Sequence, residues 1–178
     1  IDAFIRQRLS ESGLKPAPQA DPLMLARRVH YAIVGLPPDQ ETVDSALSGS
    51  FDYETLIERL LESEEYGKNQ AKFWLDLVRY AETDGYRADF DRPKAHLYRD
   101  YVIRSFNEDK PYDRFIMEQL AGDEIDPGNG DALTATMYLR HWIYEHNQRD
   151  VETQWHEILS DITETTSDVF LAQGLKCA

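Results

Sequence analysis

Apolar residues recur every three or four positions along most of the chain, and strict alternation of apolar and polar residues is rare. Spacings of three and four place apolar side chains on one face of an α-helix, whereas alternation is typical of strands. The clearest case begins at Tyr53, where positions i, i+3, i+4, i+7 and i+8 are apolar through Leu61. The pattern therefore predicts an all-α fold.

Residues that start and stop helices divide this pattern into segments. Asp21-Pro22 is typical of a helix start, and Pro37-Pro38 and Lys110-Pro111 are typical of breaks between helices. The predicted helices cover residues 2–12, 22–35, 39–47, 53–61, 68–81, 93–107, 112–121, 131–140 and 151–173. The sequence thus predicts an irregular domain of about seven to nine helices, with a long polar loop near residues 83–93.

The length and the apolar content predict one domain. A chain of 178 residues with 42% hydrophobic residues can bury a substantial core, so residues 1–178 are expected to fold as a single helical unit. The sequence opens at Ile1 rather than at a methionine and stops at Ala178 directly after a helical run. We therefore expect a segment cut at both ends from a longer multidomain protein.

The net charge of the chain excludes some classes of binding partner. A formal net charge of −14 makes the surface repel phosphate backbones and anionic lipid headgroups. No run approaches the roughly 18 consecutive apolar residues of a membrane span. The sequence therefore predicts no nucleic-acid binding and no membrane insertion by this segment.

Three charged residues are spaced for one helix face. Asp76, Arg79 and Glu82 are three residues apart in turn, which would place the arginine between two carboxylates. A guanidinium fixed in this way suits binding of a carboxylate, a sulfate or a haem propionate. The alternative is a salt-bridge cluster that braces neighbouring helices.

The acidic residues also allow a hydrolytic interpretation. Asp76, Glu82 and Asp123 include candidates for the proton donor and the base or nucleophile of a glycoside hydrolase. Because the chain is rich in acidic residues, such pairs also arise without function. The sequence alone leaves open whether the domain is an enzyme.

Histidine spacing predicts no metal site. The histidines are His30, His96, His141, His146 and His156. None follows the His-Glu-x-x-His or His-x-x-x-His pattern of a helix-borne site. His141 and His146 flank an aromatic link, where His146 is a candidate for an axial ligand and a packed or exposed histidine is the alternative.

Several motifs occur in an order that resembles one known family. They are Gly35-Leu36-Pro37-Pro38, the segment from Trp74 to Glu82, Tyr98-Arg99-Asp100-Tyr101-Val102, the segment from Phe106 to Phe115, and Gln119-Leu120-Ala121-Gly122-Asp123. Nearly the whole chain resembles the uncharacterised domain family abundant in secreted planctomycete proteins. There it often lies downstream of a planctomycete-type cytochrome c domain and upstream of a second uncharacterised domain.

The resemblance implies a haem motif at the end of the chain. In the family, the last helix leads into Gly-Cys-Ala-x-Cys-His, which is similar to a c-type haem attachment site. Cys177 matches the first thioether cysteine, and the second cysteine and the histidine would follow Ala178. Haem c is therefore expected in the full-length parent but not in this truncated chain, because covalent attachment needs Cys-x-x-Cys-His.

Three functions remain open at this point. The first is a haem-associated redox or electron-transfer module, with Trp74, Tyr80, Arg79 and Arg99 near the cofactor and Cys177 attached to it. The second is a non-catalytic scaffold, and the third is the glycoside hydrolase. The resemblance further implies an exported, periplasmic-type location, and partners in the neighbouring cytochrome c and C-terminal domains of the parent. Polysaccharide is a further predicted partner.

Overall fold

The computed structural model describes residues 1–85, 89–144 and 150–175. These residues form an all-α fold without a named strand, as the sequence predicts. The helices are α1 Asp2–Glu11, α2 Pro22–Ile33, α3 Gln40–Ser48, α4 Tyr53–Leu61, α5 Glu64–Leu77, α6 Ala95–Asn107, α7 Tyr112–Ile125, α8 Gly130–Ala135, the 3₁₀ helix Thr136–Arg140, and α9 Val151–Leu171.

Side-chain caps explain several of the helix starts. Asp21, Asp39 and Asp52 each accept hydrogen bonds from backbone N–H groups in the first turn of α2, α3 and α4, respectively. Asn129 and Asp150 do the same for α8 and α9. These groups satisfy amides that have no partner within the helix, and the sequence shows them as polar residues before apolar periodicity.

The main hydrophobic core lies between α5, α6, α7, α8 and the 3₁₀ helix. Trp74, Tyr98, Tyr101, Phe115 and Tyr138 are its largest buried rings. A smaller cluster joins α2 and α4 through apolar residues such as Val29 and Leu56. The larger, aromatic core therefore lies among the residues considered for function.

Helix α5 differs from the prediction at both ends. It begins at Glu64, so that Gly67 lies inside it, and it ends at Leu77 rather than continuing to residue 81. Gly67 tolerates no side chain, because a Cβ there would lie 2.5 Å from the carbonyl oxygen of Ile103 in α6. The close approach of α5 to α6 explains a glycine in a helix interior.

The last helix packs with a polar inner face. Its buried residues are Asp161, Thr165 and Ser167. Phe170 contacts Trp74 and Tyr138 edge-on, at ring-centroid distances of 5.8 and 5.5 Å. Helix α9 is therefore held by polar contacts along its middle and by one aromatic anchor near its end.

Candidate functional site

A buried hydrogen-bonded triad occupies the centre of the aromatic core. The indole N–H of Trp74 lies 3.1 Å from the Tyr98 hydroxyl and 3.2 Å from Oε1 of Gln119. The Tyr98 hydroxyl donates to the same oxygen at 2.6 Å. Burial raises the pKa of Tyr98, so its hydroxyl stays protonated. Trp74, predicted to contact a cofactor, has its polar atom satisfied inside the core.

A second buried network surrounds Glu118. Its carboxylate accepts hydrogen bonds from Lys110 at 2.6 Å, Arg114 at 2.7 Å and the Tyr101 hydroxyl at 2.9 Å. Burial alone would raise the pKa of Glu118, but these three donors outweigh burial and hold the pKa below its usual value. The network joins α6, the following turn and α7, and it was not identified from the sequence.

Arg79 lies just outside α5, in a left-handed backbone conformation with φ of 58°. The N–H groups of Arg79 and Tyr80 donate to the carbonyls of Asp76 and Leu75, which is the Schellman pattern that ends a helix. The chain therefore turns after Leu77. The prediction that Asp76, Arg79 and Glu82 share one helix face is wrong, because only Asp76 is helical.

The turn directs the Arg79 guanidinium towards α9. Its Nη1 forms an ion pair with Oδ2 of Asp161 at 2.5 Å, and its guanidinium carbon lies 5.9 Å from the centre of the Trp142 ring. Burial lowers the pKa of Arg79, while the Asp161 carboxylate opposes that effect. Arg79 thus links the turn after α5 to helix α9.

Arg99 forms a more exposed group of contacts. Its Nη1 donates to Glu82 at 3.0 Å and its Nε to Asp100 at 3.1 Å. The Tyr80 hydroxyl also donates to Glu82, at 2.8 Å, and burial together with that carboxylate raises the pKa of Tyr80. The Arg79 and Arg99 guanidinium groups therefore have different carboxylate partners.

The three carboxylates predicted to be catalytic lie on the surface of the described part of the chain. Asp76, Glu82 and Asp123 are all exposed, and Glu82 is engaged by Arg99 and Tyr80. Asp76 lies in the last turn of α5, and Asp123 lies in the last turn of α7. A hydrolytic role for these three residues stays a prediction.

The polar loop between α5 and α6 is organised by Arg92, which sequence analysis did not single out. Its Nε donates to Asp84 at 2.7 Å, and its other two nitrogens donate to the backbone carbonyls of His141 and Trp142 at 3.2 and 2.7 Å. Thr83 and Asp91 form an isolated antiparallel bridge in this loop. Arg92 thereby ties the loop to the segment that follows the 3₁₀ helix.

His141 is held in one tautomer at the edge of the core. Its Nδ1 lies 2.9 Å from the carbonyl oxygen of Val78, and because a carbonyl only accepts, Nδ1 carries the proton. Nε2 is buried and has no hydrogen-bond partner within the described ranges. Burial lowers the pKa of His141 to about 4, so the ring is neutral at pH 7.

A cavity of about 410 Å³ opens beside His141. It lies where the loop enters α6 and faces the 3₁₀ helix. Its lining comprises Ala81, Asp84, Arg92, Pro93, Lys94, Ala95, Met137, Arg140 and His141. Apolar side chains and charged groups thus meet at one opening, a combination typical of small-molecule sites.

Two residues predicted for a cofactor fall outside the structural description. His146 lies in the range 145–149, and Cys177 in 176–178. Within the described ranges, no three histidine, cysteine, aspartate or glutamate side chains are grouped as a metal site would need. None of the described helices is long and apolar enough to cross a membrane.

The whole chain matches one family. Residues 1–178 match the family described as PSCyt2, a protein of unknown function (DUF1549), and the chain belongs to that family. No curated protein and no solved structure matches it significantly. The family membership agrees with the resemblance to an uncharacterised helical domain, and it does not assign a reaction.

Proposed function

We propose that this PSCyt2 domain is the helical module of an exported planctomycete-type redox protein, where it supplies a neutral histidine beside a haem c group. The observation that carries the proposal is the hydrogen bonding of the two ring nitrogens of His141. Its Nδ1–H is fixed on the Val78 carbonyl, and Nε2 keeps a lone pair without a partner among the described residues. Metal-binding histidines are oriented in the same way, by a hydrogen bond from the other ring nitrogen.

The surroundings of His141 support a fixed ligand. The ring lies edge-on to Tyr98 and Tyr80, with centroid distances of 4.6 and 5.5 Å. Rotation about the side-chain bonds would break the hydrogen bond to Val78 and disturb this packing. A preorganised imidazole loses little conformational entropy when it binds.

Other residues fit a haem less well. Covalent attachment needs two thiols, and the chain contains one cysteine, Cys177. Arg79 and Arg99, predicted to hold propionates, are already paired with Asp161 and with Glu82 and Asp100. The proposal therefore needs the parent sequence beyond Ala178 to supply the remaining thiol. When bound, the iron would supply one-electron transfer.

The chain's own residues would contribute position and environment. Tyr98, which is fully buried, and Tyr80, which is partly buried, would shield the His141 ring from water through their edge-on contacts. The neighbouring cytochrome c and C-terminal domains of the parent are the proposed partners. Export to a periplasm-like compartment belongs to the same proposal, because c-type haem is attached outside the cytoplasm.

The test is a spectrum of the full-length parent produced in a haem-maturing host. We expect a Soret band, and we expect His141→Asn to shift it and alter the visible bands, since an amide donates to Val78 but ligates iron poorly. His96→Asn, at an exposed histidine of α6, is the control. Absence of a Soret band overturns the redox proposal, and an unchanged His141→Asn spectrum overturns the role of His141.

A second candidate function is a non-catalytic scaffold for neighbouring domains. It is favoured by the internal pairing of the buried charges, since Arg79 meets Asp161 and Glu118 meets Lys110 and Arg114. Such networks fix helices relative to one another without acting on a substrate. A haem-free parent whose flanking domains lose their fixed arrangement in Asp161→Asn would support this function. Unchanged small-angle scattering of that variant would contradict it.

A further inference from the structure

The cavity beside α6 carries positive charge on an acidic protein. Three of its lining residues are cationic, Arg92, Lys94 and Arg140, and one is anionic, Asp84. With His141 neutral, the lining has an excess of two positive charges, whereas the whole chain carries −14. Such a local reversal of sign attracts an anion and raises its local concentration.

The single carboxylate does not neutralise all three cations. Asp84 lies 2.7 Å from Nε of Arg92 but 3.7 Å from Nη2 of Arg140. Arg92 is therefore the neutralised member of the group, and Arg140 keeps donors for another acceptor. The guanidinium carbon of Arg140 also lies 4.0 Å from the centre of the Tyr144 ring, and this contact holds the guanidinium plane in place.

Lys94 supplies a second available cation. It occupies the N-cap position of α6, a helix of 13 residues, without a side-chain cap bond. No ion pair engages its ammonium group among the residues that the structure describes. The positive end of the α6 helix dipole adds positive potential at the same place.

The rest of the lining is apolar. Ala81, Pro93, Ala95 and Met137 contribute most of it, and the volume of about 410 Å³ exceeds what an inorganic ion fills. A ligand that uses the whole cavity therefore combines an anionic head with an apolar body. A carboxylate suits the head, because its two oxygens match the planar fork of a guanidinium.

We propose that this cavity binds a small organic carboxylate, with its head between Lys94 and Arg140 and its apolar body against Met137 and Ala95. Arg92 fixes the loop that forms one wall, through its bonds to Asp84, His141 and Trp142. The site is largely preformed, which lowers the entropic cost of binding. This proposal does not depend on haem and concerns the chain without any cofactor.

The test compares probes that share one apolar body. The chain is titrated with 2-naphthoate, with 2-naphthalenemethanol and with inorganic phosphate, and amide and methyl chemical shifts are followed by nuclear magnetic resonance. We expect 2-naphthoate to shift Ala95 and Met137 and to bind at least tenfold more tightly than either other probe. If 2-naphthalenemethanol binds as tightly as 2-naphthoate, the cavity is only an apolar crevice. If inorganic phosphate binds as tightly as 2-naphthoate, the cations form an unspecific cluster. Either result overturns the proposal.

Variants of the two cations complete the test. Lys94 is exposed, so Lys94→Gln should leave the fold intact and weaken 2-naphthoate binding about tenfold, with recovery in Lys94→Arg. Arg140→Gln should weaken it to a similar extent. The matched control is Lys15→Gln, an exposed lysine between α1 and α2. Affinity that survives both pocket variants, or that falls equally in the control, overturns the proposal.

Discussion

Arg79 and Asp161 join two distant parts of the chain, with Nη1 and Oδ2 2.5 Å apart. Arg79 follows the end of α5 in a left-handed conformation, and Asp161 lies in the middle of α9. Both side chains are largely buried. A left-handed conformation is unfavourable for a residue other than glycine, so the ion pair compensates a local backbone cost of order 1 kcal/mol.

Removing the charge of Asp161 should loosen α9. Asp161→Asn leaves the Arg79 guanidinium buried without its anion, and we expect a loss of about 3 kcal/mol in the free energy of unfolding. Urea denaturation measures that loss, and hydrogen exchange should show reduced protection in α9. Glu157→Gln, at an exposed position of the same helix, is the control and should change stability by less than about 0.5 kcal/mol. An equal loss of unfolding free energy in the two variants would contradict a stabilising role for the buried ion pair.

The Glu118 network should be sensitive to an isosteric change. Glu118→Gln keeps the shape of the side chain but leaves Lys110 and Tyr101 facing an uncharged amide. We expect a destabilisation of about 3 kcal/mol, because a buried cation loses its partner. Thermal unfolding measures the change. Glu124→Gln changes an exposed residue of α7 and serves as the control. A Glu118→Gln variant as stable as that control would contradict the prediction.

Gly122 should tolerate no side chain. A Cβ at this position would lie 2.0 Å from the carbonyl oxygen of Ala132, a backbone atom of α8. We expect Gly122→Ala to separate α7 from α8 and to cost about 3 kcal/mol or more. Gly128→Ala provides the comparison, since nothing lies within 4 Å of its Cβ position. Similar melting temperatures for the two variants would rule out the close helix contact.

Stability should fall in mild acid because of His141. Its pKa is about 4 in the folded chain and about 6.5 in the unfolded chain, so the unfolded state binds the proton first. The contribution of neutral His141 to the free energy of unfolding is complete above pH 6.5 and amounts to about 3 kcal/mol. It is lost as the pH falls from 6.5 towards 4. Burial also lowers the pKa of His30, which acts in the same direction.

The measurement compares urea unfolding at pH 7 and pH 4.5 in the haem-free chain. The difference between the two pH values should shrink in His141→Asn and persist in His156→Asn, which replaces an exposed histidine of α9. Titration of the His141 ring by nuclear magnetic resonance gives its pKa directly. A value near 6.5 would refute the argument from burial.

The pattern of apolar and capping residues was sufficient to predict most helices, because both signals come from residues close together in the sequence. The periodicity from Tyr53 to Leu61 predicted α4 with both ends, and the cap at Asp52 is present as a hydrogen-bonded side chain. The end of α5 was missed because the Schellman turn uses an arginine where a glycine is usual. Without a glycine, the sequence gives no signal of a left-handed residue at position 79.

Pairing of charged groups was harder to predict than the helices. Arg79 was placed between Asp76 and Glu82 from spacing, but its partner is Asp161, more than 80 residues away along the chain. Arg92 and Asp84 lie in a non-helical loop, where no periodicity indicates which side chains meet. Their position in a long polar loop was the only sequence signal of a site in that region.

The sequence by itself determined the helical class, most helix boundaries, the family and the acidic surface, because apolar periodicity, capping residues and charge are properties of nearby residues. The tertiary structure decided which charges pair, which histidines are buried, and where a cationic cavity opens. Those features depend on how the backbone leaves α5 at Arg79 and how α6 meets the 3₁₀ helix. The free energy of such contacts comes from burial and from groups distant in the chain, so spacing alone does not specify them.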